Sequence, residues 1–167
     1  VVHLAARAGV RPSLQNPALY DSVNAAGTLA LLEACRRAGV PRFLFASSSS
    51  VYGNARVPFR EDDENLHPLS PYGVSKLVAE HYVRIYAELH GLHATSLRFF
   101  TVYGPRQRPD MAIHAFTAAI LSGREIPVYG DGSTERDYTH VSDIVQGILR
   151  ALDRDEPFAV YNLGESR

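Results

Sequence analysis

The chain of 167 residues has no tryptophan, one methionine, one cysteine and, among 17 basic residues, a single lysine. The lone Cys35 excludes an intrachain disulfide and is compatible with a reducing compartment, so a cytoplasmic protein is expected. No apolar run approaches the roughly 20 residues of a membrane helix, and no membrane association is expected. A net charge of −1 and a pI near 6.7 remove the electrostatic case for nucleic acid. Seven histidines without paired ligand spacing, beside one cysteine, leave no metal site to predict. No serine stands in a Gly-x-Ser-x-Gly elbow, which argues against an esterase. The opening Val1-Val2-His3-Leu4-Ala5-Ala6 has no basic n-region, so no signal peptide is expected. That opening reads as a core strand without a lead-in, and residues 160–167 stop as another strand finishes. The expectation is an internal piece of something longer.

What is present alternates. Apolar runs at 1–4, 42–46, 94–100 and 158–163 read as buried strands. Between them, residues 18–38 and 72–90 show helical patterning. In the first, Val23, Ala26, Leu29, Leu32 and Cys35 form the expected apolar stripe; in the second, Val74, Leu77, Val78, Tyr82, Ile85 and Leu89 do. Gly39 with Pro41, and Gly91, stop these helices. Shorter pieces follow residue 101: a helix at 111–121 capped by Asp110, strands at 126–129 and 136–141, and a helix from 144 to 152. The alternation predicts an α/β fold, a parallel sheet with crossover helices, over residues 1–100. A smaller region over 101–167 is interleaved with the last strands. The acidic stretch Glu61-Asp62-Asp63-Glu64 reads as solvated surface, and Cys35 as a packed thiol.

The chemistry centres on Ser70-Pro71-Tyr72-Gly73-Val74-Ser75-Lys76. Tyr72 and Lys76 are four apart, hence on one helix face. An ammonium beside a phenol lowers its pKa and makes the phenolate a general base. Sixteen arginines supply charge elsewhere, so the only lysine stands where a slim point charge matters. The alternative is a surface lysine that happens to follow a tyrosine. Four hydroxyls, Ser47 to Ser50, directly follow a core strand, at the end of a parallel strand where ligands of open α/β sheets bind. A serine and the phenol would flank a substrate hydroxyl. Oxidising that alcohol needs a hydride acceptor that no side chain provides, which implies a nicotinamide cofactor.

These stretches resemble the extended short-chain dehydrogenase/reductases, the NAD-dependent epimerase/dehydratase family, and within them the UDP-glucuronate and UDP-glucose 4-epimerases. The resemblance spans essentially the whole chain. It rests on His3-Leu4-Ala5-Ala6, Asn24 in Asn-Ala-Ala-Gly-Thr-Leu, Ser47 to Gly53, Tyr72 to Lys76, Leu97 to Pro105, and Arg136 to Val141. It implies a Rossmann-like fold, here its second half. Tyr72 would be the base, with Lys76 on the nicotinamide ribose and Ser48 bridging to the sugar 4-hydroxyl. Leu4, Ala5, Ala6, Asn24, Ala46, Ser47, Phe99 and Phe100 would line the NAD site. Ser49, Ser50, Thr101, Arg108, Val128, Gly130 and Arg136 would bind the UDP-sugar, with Arg136 on the diphosphate. A homodimer through the two long helices is also implied. The family's Gly-x-x-Gly-x-x-Gly turn is not in this sequence, so weak NAD binding by these residues alone is expected.

Subfamily rests on three positions. Related dehydratases and decarboxylases carry an acidic residue where Ser49 and Ser50 stand, which implies simple epimerisation. Thr101 resembles the glucuronate enzymes, whereas the glucose enzymes usually carry Asn there. Arg108 would help secure the sugar carboxylate, held by Ser49, Ser50 and Thr101. Two alternatives stay open: another nucleotide-sugar dehydratase, decarboxylase or reductase of the family, and a non-catalytic, self-associating fragment.

Overall fold

The computed structural model describes residues 1–126, 131–132 and 135–165. Four strands form one parallel sheet in the order β1-β2-β3-β6: β1 Val2–His3, β2 Arg42–Ser48, β3 His93–Phe99 and β6 Phe158–Leu163. A helical run links β1 to β2. It comprises α1 Val10–Gln15, α2 Pro17–Tyr20, a π-helical turn Asp21–Ala26 and α3 Gly27–Arg37. Helix α4, Pro71–His90, links β2 to β3. Strands β4 Thr101–Tyr103 and β5 Tyr138–His140 pair in a separate two-stranded sheet, with α5 Ala112–Leu121 between them. Helix α6, Val141–Leu152, then returns the chain to β6. This is the parallel α/β architecture the alternation predicts and the Rossmann-like fold the resemblance implies.

Two apolar layers hold the sheet. Leu32 and Cys35 of α3 and Ala79 and Val83 of α4 pack on Phe43 and Phe45. On the other face, Leu44 and Leu97 meet Ile148, Ala151 and Leu152 of α6. Phe43 is completely buried, and each side chain of this kind stabilises the fold by about 2 kcal/mol. Residues 43, 45 and 47 thus face α4, and 44 faces α6, by strand alternation.

The helix termini follow local chemistry. Ser70 Oγ accepts the Gly73 N–H (3.1 Å), Pro71 occupies the first turn, and Gly91 closes α4 in the left-handed region at φ 65°. Other boundaries differ from expectation. Residues 10–15, which lie before the helical patterning of 18–38, form α1. Asp110 does not cap α5, because its carboxylate is taken by Arg108; α5 starts after Met111 without a side-chain cap. Helix α6 begins three residues early, at Val141, with the His140 ring accepting from the Ser142 N–H. The strand expected at 126–129 falls largely outside the described residues.

The larger corrections concern which faces are buried. The π turn adds a residue to one helical turn and shifts the phase. Val23 and Ala26 therefore point outward, while Asn24, Ala25 and Thr28 turn in. On α4, Val74, Ile85 and Leu89 are exposed, and Gly73, Ser75, Lys76, Ala79, Glu80 and Val83 face the sheet. A polar face is tolerated there because its polar groups find partners on the strands.

Candidate active site

The carboxyl ends of β1, β2 and β3 bring three segments together: residues 4–9, the serine run and Phe99-Phe100. Helix α4 lies across them. Its first turn can approach closely because residue 73 is glycine. A Cβ there would stand 2.6 Å from the Ser50 carbonyl oxygen. After β2, a 3-10 turn Ser49–Val51 bends the chain, with Ser48 Oγ accepting the Ser50 N–H (3.2 Å). The Ser48 hydroxyl stands close enough to the Tyr72 phenol to draw its pKa down. Tyr72 and Ser48 therefore meet, and Lys76 lies one turn along α4.

Lys76 is 3% exposed. Its Nζ donates to Ala46 O (2.7 Å) and lies 4.9 Å from the Phe45 ring centroid. Burial pushes its pKa down to about 8, against the pull of Glu80. Burial also pushes the Tyr72 phenol above its ordinary value; the Ser48 hydroxyl and the Arg108 charge act in the lowering direction, and Tyr20 adds to the rise. The cation that acts on the phenol is Arg108, and burial outweighs it. Lys76 instead acts on His3, whose pKa is lowered by burial and then by that ammonium.

Asn24 acts as a clamp. Its Oδ1 accepts the Arg7 N–H (2.8 Å), and its Nδ2 donates to Arg7 O (3.0 Å) and Ser75 Oγ (3.0 Å). Ser75 Oγ in turn donates to Tyr72 O (2.9 Å). The π turn thus ties the segment after β1 to α4. Tyr20 adds an edge-on ring contact to Tyr72 (6.2 Å, 85°) and donates to Ala8 O (3.0 Å).

The remaining predicted residues fall into groups. Leu4 and Ala5 are exposed and Ala6 half-buried after β1. Ala46 lends its carbonyl to Lys76, and Ser47 donates to Glu80. Ser49 and Ser50 are half-buried, and Ser50 lies beside Gly73. Phe99, the register partner of Ser48 at the end of β3, packs in the α6-side cluster with Leu97. Phe100 lies 6.1 Å from the Phe59 ring. Thr101 begins β4, its N–H donating to Asp137 O (3.2 Å). Arg108 is held by both oxygens of Asp110 (2.9 and 2.6 Å). Arg136 is exposed and donates to Glu135 O (2.7 Å), unconnected to the row. Val128 and Gly130 lie outside the described residues.

Sequence reasoning missed Glu80 and Arg98. Extending the four-residue ladder from Tyr72 and Lys76 leads to Glu80, and a charged residue inside the core strand 94–100 is itself a signal. Arg98 Nε and Nη2 donate to Glu80 (3.1 and 2.9 Å), and Arg98 Nη1 donates to Tyr52 OH (2.8 Å).

A parallel sheet whose strand ends gather a hydroxyl, a phenol and an ammonium is the arrangement of a short-chain dehydrogenase-type catalytic unit. The chain belongs to the NAD dependent epimerase/dehydratase family, whose model matches residues 1–164. It is 44% identical to a UDP-glucuronate 4-epimerase from Thermodesulfobacterium geofontis over 98% of this chain and 50% of that protein. Among solved structures it resembles MoeE5 in complex with UDP-glucuronic acid and NAD, at a TM-score of 0.94 and 49% identity, covering 98% of this chain and 56% of that one. It also resembles the UDP-glucose 4-epimerase of Thermotoga maritima with UDP-glucose, at a TM-score of 0.94 and 40% identity, covering 100% and 55%. The chain spans about half the length of the curated relatives it matches.

Proposed function

We propose that this chain carries the catalytic row of an NAD-dependent UDP-sugar 4-epimerase acting between UDP-glucuronate and UDP-galacturonate. The observation that carries the reading is the meeting of Ser48 with Tyr72, one helical turn from a buried Lys76, at the carboxyl ends of the strands. The residues fit the nicotinamide-ribose end of the cofactor. Lys76 has three donors and gives one to Ala46 O, leaving capacity for a ribose diol. Small, accessible Ala5 and Ala6 let a ligand approach the chain that Asn24 holds. When bound, nicotinamide supplies the acceptor and later the donor of the hydride from the sugar C4.

Tyr72 takes the proton of the 4-hydroxyl as that carbon becomes a ketone, and gives it back after the flat 4-keto sugar has turned over. Ser48 holds the same hydroxyl in line. Because burial holds the phenol above its ordinary pKa, Tyr72 needs the Ser48 hydroxyl and cationic neighbours to ionise. Ser49, Ser50 and Thr101 seat the sugar carboxylate, with Arg108 closing on it from the loop after β4. Fixing that carboxylate protects a β-keto acid from losing carbon dioxide. Arg136, Val128 and Gly130 are assigned to the UDP moiety. Residues 101–167 are the substrate region in this reading, and a homodimer through α3 and α4 accounts for the exposed Val74, Ile85 and Leu89.

Thr101 favours glucuronate over glucose, and the serines at 49 and 50 argue against dehydration or decarboxylation. The test is to incubate the protein with NAD⁺ and UDP-glucuronate. UDP-galacturonate is the expected product; UDP-xylose would move the reading to a decarboxylase. Tyr72→Phe is expected to abolish turnover with the fold intact, and retained turnover would remove Tyr72 from its role. Absence of both product and bound nucleotide would favour a non-catalytic fragment.

A further inference from the structure

The buried charges behind the row form a cluster that the proposed reaction does not use. Glu80 and Arg98 are both nearly inaccessible, with side chains 6% and 4% exposed. Their pairing is bidentate. Glu80 Oε1 also accepts the Ser47 hydroxyl. Arg98 lies over the Tyr52 ring (4.8 Å to its centroid) and donates to Tyr52 OH, which donates onward to Asn162 Oδ1 (2.8 Å). Burying an ion pair is costly against an apolar alternative. One located beside a catalytic ammonium therefore calls for a reason other than stability.

The stripe Tyr72, Lys76, Glu80 runs along one face of α4 at four-residue intervals. Glu80 bonds the strand residue next to Ser48, and its carboxylate is the anion set one turn from Lys76. We propose that Glu80, locked by Arg98, is a positioning residue that keeps Lys76 charged and holds the Ser47-Ser48 end of β2 against α4. The inference deepens the epimerase reading, since it rests on Lys76 serving that same site.

The other groups around Lys76 do not supply that charge. His3 of β1 is disfavoured as a cation by Lys76 itself. Tyr72 and Tyr20 are phenols set beside Ser48 and Ala8 O. Arg108 is bound to Asp110 and Tyr52 to Arg98. Glu33 of α3 is committed to Arg36 and to Tyr86, beyond Glu80 along α4. Glu80 is the anion named in raising the Lys76 pKa. Arg98, paired with both Glu80 oxygens, limits the pull of that carboxylate.

The single lysine makes the test direct. Protein labelled with ¹³Cε,¹⁵Nζ-lysine gives one side-chain signal, whose pH titration reads Lys76 without cofactor or substrate. Glu80→Gln is expected to lower the Lys76 midpoint by about one pH unit. Arg98→Met is expected to raise it. Should Arg98→Met alone not fold, the double variant Glu80→Gln/Arg98→Met leaves no unpaired buried charge, and its midpoint should lie between Glu80→Gln and the parent. An unchanged midpoint in folded Glu80→Gln, or a double variant at or above the parent, overturns the inference. Turnover separates this from the proposed reaction. A responsive Lys76 signal in a protein that converts no UDP-sugar keeps the inference and removes the epimerase reading. An unresponsive signal in an active epimerase does the reverse.

Discussion

Replacing Lys76 with Met should make the protein more stable. Lys76 is 3% exposed, and burial brings its pKa from 10.5 to about 8. One pKa unit corresponds to about 1.4 kcal/mol, so keeping the ammonium in the folded state at neutral pH costs about 3 kcal/mol. The folded pKa lies below the unfolded one. Between about 8 and 10.5 the unfolded chain therefore binds more protons, and stability rises with pH across that window. Below about 8 both states are protonated and the cost is present in full. Met retains the apolar stem against Phe45 and loses the hydrogen bond to Ala46 O, worth about 1 kcal/mol. Glu80 keeps Arg98 as its partner. The expected net gain is about 2 kcal/mol at neutral pH, shrinking towards zero near pH 10. Urea unfolding at both pH values measures it as a raised midpoint with an unchanged m-value. A less stable Lys76→Met variant at neutral pH, or a gap that is the same at both pH values, would refute the reasoning.

Two further variants probe the frame around the row. Asn24→Ala removes three hydrogen bonds, but the Arg7 backbone can regain water because Arg7 is exposed. The expected loss is about 2 kcal/mol in urea unfolding, with faster hydrogen exchange at the Arg7 amide; an unchanged exchange rate would show that Asn24 is no clamp. Gly73→Ala places a methyl 2.6 Å from Ser50 O and 2.8 Å from Pro68 Cβ. It should cost about 2 kcal/mol and push the serine turn off Tyr72, so turnover should fall further than the stability loss explains.

Features governed by a few neighbouring residues were legible in the chain. The four strands of the main sheet and the span of α4 with its Ser70 and Gly91 ends follow from apolar runs and cap chemistry. The Tyr72–Lys76 pair follows from spacing. Apolar counting failed on α4 because Lys76, Ser75 and Glu80 are buried by partners that lie far along the chain. Ser47 is 33 residues from Glu80, and Ala46 is 30 from Lys76. Asn24 could be matched to a motif, but its clamp on Arg7 depends on a π turn that a fixed 3.6-residue period does not contain.

Residue order alone thus decides where the strands and α4 lie, since capping, turn chemistry and hydrophobic runs act over a few residues. Which face of α4 is buried, which cation acts on Tyr72, and what surrounds Lys76 were decided only when the strands packed. Desolvation and long-range pairing exist only in the assembled core, and there Glu80 and Arg98 pair behind the one lysine the chain contains.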